Sequence, residues 1–120
     1  MKTVDIDKSV EELIGYFDRR KAVTQAEAED ILPYAKQTLF ILDGFLDIVD
    51  ELNYDKEHFE KLLLSLDDRY YELRQLKERL VPLYSSHNEL DKLIDEILTK
   101  LMKIENKLGL IIAKNEHKTL

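Results

Sequence analysis

The chain has no cysteine and no tryptophan, and only two prolines and three glycines among 120 residues. Without cysteine there can be no disulfide and no thiolate metal ligand, which excludes a secreted disulfide scaffold and Cys-type zinc sites. With so few breakers, long stretches are left free to be helical. There is no glycine-rich phosphate loop. No run of about 18 apolar residues exists, so no membrane span is expected. The most apolar stretch, residues 39–49, is short and carries Asp43 and Asp47. The opening MKTVDIDKSVEEL lacks the apolar core of a signal peptide, and the expected compartment is the cytoplasm.

Charge is plentiful but unbalanced: 25 acidic residues against 18 basic give a net charge of −7. The basic residues are interleaved with acids, and the run Arg19-Arg20-Lys21 follows Asp18. Nucleic-acid binding works through clustered cations that displace counterions from phosphates, so this balance disfavours it. Hydrophobic residues make up 44% of the chain, which suits a folded domain with a core of its own.

Three capping boxes, Ser9-Val-Glu-Glu12, Thr24-Gln-Ala-Glu27 and Ser86-His-Asn-Glu89, place helix starts. Asp55 places a fourth. The expected helices run over about 9–20, 25–52, 56–84 and 87–115. Pro33 should kink or break the second, and Pro82 should stop or bend the third. In the second helix Ile31, Ala35, Leu42, Phe45, Val49 and Leu52 form the stripe, widened by Leu32, Leu39, Phe40, Ile41, Leu46 and Ile48. In the third, Phe59, Leu63, Leu66, Tyr70, Leu73, Leu80 and Tyr84 keep a heptad rhythm that Lys77 interrupts. In the fourth, Leu90, Ile94, Ile97, Leu101, Ile104, Leu108 and Ile111 form an unbroken coiled-coil-like repeat, which demands a partner along its length. Leu93, Leu98, Met102, Leu110 and Ile112 widen that stripe. The expected fold is all-α: an antiparallel, up-down bundle of three long helices plus a short N-terminal one, in one domain. Residues 115–120 should fray.

Four constellations could carry function. His58-Phe-Glu-Lys61 resembles the active site of histidine phosphotransfer domains, in which a lysine three places after the histidine holds the phosphoryl group. The likeness is confined to the His-x-x-Lys spacing, and the small residues and glycine of that family are missing. Arg79 and His87 resemble the pair of HEPN-type ribonucleases, but seven residues and Pro82 separate them where the family has four to six. Asp43, Asp47 and Asp50 share a helix face and could hold a hard cation, as in the all-α nucleotide pyrophosphatases. The paired Glu-x-x-Glu and Glu-x-x-Asp of that family stand here in the wrong order. Asp67 and Asp68 add acid to the third helix. Tyr54, Tyr71 and Leu83 are candidates for an exposed protein-binding patch, because adjacent tyrosines at 70 and 71 cannot both face the core. Ser86 and His87 have a sufficient reason to open a helix.

No cofactor is implied by these patterns. The reading they favour is a non-catalytic interaction module, an adaptor, inhibitor or assembly factor, acting on a protein partner or as a homodimer. The alternative is a phosphorelay component through His58 or a small all-α nuclease through Arg79 and His87.

Overall fold

A computed structural model describes residues 4–18, 25–84 and 88–118. It contains four α-helices: α1 (Val4–Asp18), α2 (Gln25–Ile48), α3 (Lys56–Tyr84) and α4 (Asn88–Lys118), with a 3-10 turn, Val49–Glu51, closing α2. They form an elongated bundle of 54 × 22 × 20 Å. Among the described residues there is no strand.

Heptad spacing decides which residues go inside. Leu90, Ile94, Ile97, Leu101, Ile104 and Leu108 of α4 are all buried, and Ile111 packs against them. Ile31, Ala35, Leu42, Phe45 and Val49 of α2 face them, as do Phe59, Leu62, Leu66, Leu73 and Leu76 of α3. Thr38 fills the one polar step in the α2 stripe. Its hydroxyl donates to the Tyr34 carbonyl at 2.9 Å, so its burial leaves no unpaired donor.

Successive helices alternate in direction. α1 packs on α2 and α3, and α4 packs on the same two. The consecutive helices α2 and α3 therefore lie on a diagonal of the bundle, bridged by α1 and α4. The turn between α2 and α3 reverses the chain without putting those two helices side by side, whereas α1 with α2 and α3 with α4 are neighbours in sequence and in space.

Three local expectations change. α1 begins at Val4, not Ser9, because Ile6 is completely buried and extends the stripe of Val10, Leu13 and Ile14 by one turn. Burial of a whole isoleucine side chain outweighs a local capping preference. Pro33 does not break α2. It is exposed, as is Glu29 one turn back, so water can satisfy the carbonyl that loses its donor. α3 keeps its expected bounds, ending two residues beyond Pro82. α4 continues to Lys118, held near its end by the Asn115 Nδ2 donating to the Ile111 carbonyl at 2.8 Å and by Lys56 pairing with Glu116 at 3.5 Å. The caps at Thr24 and Ser86 lie outside the described residues. The cap at Asp55 is present: its carboxylate accepts from the His58 backbone N–H at 3.2 Å.

α1 is half the length of α4 and covers one end only. Arg69 of α3 fixes it by pairing with Asp7 at 3.2 Å and Glu11 at 3.6 Å, and with Glu72 of its own helix at 2.8 Å. At the far end of α1, Tyr16 stacks on Tyr34 with ring centroids 4.4 Å apart.

Candidate functional site

The residues singled out by sequence do not converge on one place. His58 is half-buried in the first turn of α3, and Lys61 is exposed and turned to Glu57 at 3.1 Å. Arg79 lies in α3, but its side chain, the side chain of Leu83 and the whole of His87 lie outside the described residues. Tyr54 sits at the turn before α3, edge-on to Phe59 at 5.3 Å. Its hydroxyl is shielded and unpaired, and that loss of hydration, together with the nearby Glu116, raises it above the ordinary tyrosine range. Tyr71 is 54% exposed. It lies roughly 22 Å along the α3 axis from the helix start, at 1.5 Å per residue, so it belongs to a different level of the bundle from Tyr54.

The aspartates of α2 meet lysines. Asp43 pairs with Lys100 at 2.6 Å and Asp50 with Lys107 at 2.9 Å, each pair one heptad from the other on parallel helices. The hydrogen bond to Asp43 holds the Lys100 ammonium above its ordinary range, against some loss of hydration. The positive charge that a cation would bring to Asp43 and Asp50 is thus supplied by α4. Among the described residues no group of three His, Asp or Glu side chains comes together in metal-binding geometry.

The other flank of α4 is built differently. Lys56 faces Glu116, and Lys77 faces both Asp91 and Asp95. These pairs fix the antiparallel register of α3 on α4. In that register Asp67 falls opposite Glu105, because the step from Lys56 to Asp67 equals the step back from Glu116 to Glu105. The two carboxyl groups come close enough to act on each other. Burial, followed by the effect of Asp67, pushes Glu105 up to about 7. At a position where the flanking rungs carry opposite charges, this rung carries two acids.

Apolar residues stand along the same seam: Tyr70, Leu98 and, one turn on, Met102, with Leu64 and Tyr71 on the outer row of α3. Tyr70 and Tyr71 meet edge to face at 5.7 Å. Tyr70, Arg74, Lys77, Glu78, Asp95 and Leu98 line a shallow cavity of about 240 Å³. At Gly109, one turn past Glu105, an added Cβ would meet nothing within 4 Å.

Sequence reasoning missed Glu105 altogether. The signal that finds it is the heptad flank: once α3 and α4 are set antiparallel, positions 67 and 105 face each other. A larger cavity, about 360 Å³, opens at the far end of the bundle between Leu52, Tyr54, Lys107, Leu110 and Lys114.

The arrangement is that of an all-α bundle with a polar and apolar lateral face. Compared with protein-family models, curated proteins and solved structures, the chain matches none.

Proposed function

We propose that the chain is a non-catalytic protein-binding module. The observation that carries this reading is the outer row of α3, where Leu64 is 68% exposed and Tyr71 54% exposed one heptad apart. Large apolar side chains held at outward positions of a rigid helix are what helix-face recognition uses. Phe40 on α2, 78% exposed, extends the apolar surface to a second side of the bundle. The cysteine-free composition fits action in the reducing cytoplasm.

The test compares capture from a native cell extract by three tagged proteins: the unaltered chain, Leu64→Asp/Tyr71→Asp, and His58→Ala/Lys61→Ala. The expected result is a stoichiometric partner retained by the histidine variant and lost by the apolar one, with helix content equal in all three. Loss with the histidine variant alone would replace this reading by phosphotransfer through His58. A concentration-dependent dimer that the apolar variant dissolves would make the partner a second copy of the chain.

A further inference from the structure

The carboxyl pair of Asp67 and Glu105 is an internal mismatch. Every other cross-helix rung described on this seam joins a lysine to an acid: Lys56 with Glu116, and Lys77 with Asp91 and Asp95. The residues one turn from Glu105 on its own face of α4 are Leu101, Met102, Leu108 and Gly109, none of them basic, while Lys103 and Lys107, two positions away, stand on the opposite side of the helix. Nor does one stand beside Asp67 in the α3 positions that face α4, which are Leu63, Leu66 and Tyr70, or in the outer row at Leu64 and Tyr71. Arg74, two turns on, is directed to Glu78 at 3.8 Å. α1 packs mainly on α2 and α3, and the charged side chains of α2 and its closing turn that pair with α4 meet Lys100, Lys107 and Glu89 on the opposite flank.

We propose that the α3–α4 face around Asp67 and Glu105 is the docking surface for a basic amphipathic helix of a partner protein, which supplies the missing cation to the carboxyl pair and an apolar anchor to the cavity lined by Tyr70, Arg74 and Leu98. This deepens the protein-binding reading and rests on it. Charge complementarity selects the occupant. A lysine or arginine set between two carboxylates gains from both, and the partly desolvated site strengthens the attraction over that of a surface pair. A second copy of this chain whose two-fold axis passes through the pair sets carboxylate against carboxylate and brings no cation to it.

The surface also fixes the spacing. The cavity centres near Arg74 on α3 and the carboxyl pair lies at Asp67, roughly 10 Å apart along the helix axis. A helix lying along this groove meets both sites with residues seven positions apart, the spacing of successive anchors in helix-in-groove recognition. Tyr71 and Leu64 are exposed on the adjoining row of α3, and at Gly109 an added Cβ would meet nothing within 4 Å.

The experiment selects helical peptides from a randomised 16-residue library on the full chain at pH 8, then titrates the survivors by fluorescence anisotropy. Survivors are expected to carry a lysine or arginine seven positions from a leucine or aromatic residue. Their affinity should fall at least tenfold on Asp67→Asn/Glu105→Gln, a variant expected to fold at least as well as the parent. It should fall similarly on Tyr71→Asp, and severalfold between pH 8 and pH 6, because the cation displaces the proton that Glu105 holds. Survivors that lack a basic residue, or that ignore the double substitution, overturn this surface while the protein-binding reading stands. A sedimentation dimer that Tyr71→Asp dissolves overturns the choice of occupant. An empty library together with an extract that yields no stoichiometric partner overturns both readings.

Discussion

The two flanks of α4 show one helix solving the same problem in two ways. Toward α2 its lysines at 100 and 107 meet Asp43 and Asp50, and every cross-helix rung described there joins opposite charges. Toward α3 the ladder has a fault, where Asp67 meets Glu105. The buried stripe between the flanks is the same for both, so the difference does not come from the core. It comes from which residues stand beside the stripe. A flank that is electrostatically closed has nothing left to offer a partner. A flank with an uncompensated pair does.

The largest effect should come from the stripe that both flanks share. Leu101 is completely buried between α2 and α3. Leu101→Ala is expected to cost about 3 kcal/mol in urea unfolding, through lost burial and the cavity left behind. An effect confined to one flank would mean that the bundle unfolds in parts.

Next comes the fault itself. The folded value for Glu105, about 7, lies above its ordinary 4.5. Between those two values the native state holds more protons than the unfolded chain, so its stability falls as pH rises through that window. Glu105→Gln should therefore stabilise the protein at pH 8 by about 1 kcal/mol, a rise of ~4 °C in Tm, after allowing for the partial hydration of the site. Near pH 4.5 the variant and the parent should melt together. Equal melting at pH 8 would show that the two carboxyl groups swing apart in solution.

Gly109→Ala is expected to raise stability by roughly 0.5 kcal/mol, since the helix loses its one flexible residue on this face and the new methyl group meets open space. A loss in thermal unfolding would mean that α3 lies closer to α4 at that level. The smallest change belongs to the closed flank. Asp50 and Lys107 are both well hydrated, at 61% and 41% exposure. Asp50→Asn should shift stability by no more than about 0.5 kcal/mol, with most of that gone in 0.5 M salt.

Much of the fold was legible from spacing alone. The α4 repeat from Leu90 to Leu108 is buried residue for residue, and Asp55 caps α3 as its chemistry suggests. The failures share a cause. Ser9 has the side chain of a cap and the pattern around it of a capping box, yet Ile6 is drawn into the core and the helix starts earlier. Phe40 was counted into the α2 stripe by its hydrophobicity, but the helix turns it outward on the row opposite the core. Leu110 and Met102 likewise fall outside the α4 stripe they were expected to widen, with Leu110 the more exposed. Asp43 and Asp50, grouped with Asp47 as a face able to hold a hard cation, each have a lysine of α4 against them that the sequence pattern did not show. In every case a local rule was right about the residue and silent about its neighbour across the bundle.

The sequence by itself determined the helices, the seam each one buries and the alternation of direction, because those follow from a period of 3.6 residues and from short turns. Only the tertiary structure decided that α4 stands between α2 and α3 while α1 closes one end. That arrangement is set by how side chains interlock over the whole length of the bundle, and no local pattern encodes it. It is also what sets Lys100 against Asp43 on one side and Glu105 against Asp67 on the other, since the charge a residue meets depends on the register of helices far apart in the chain.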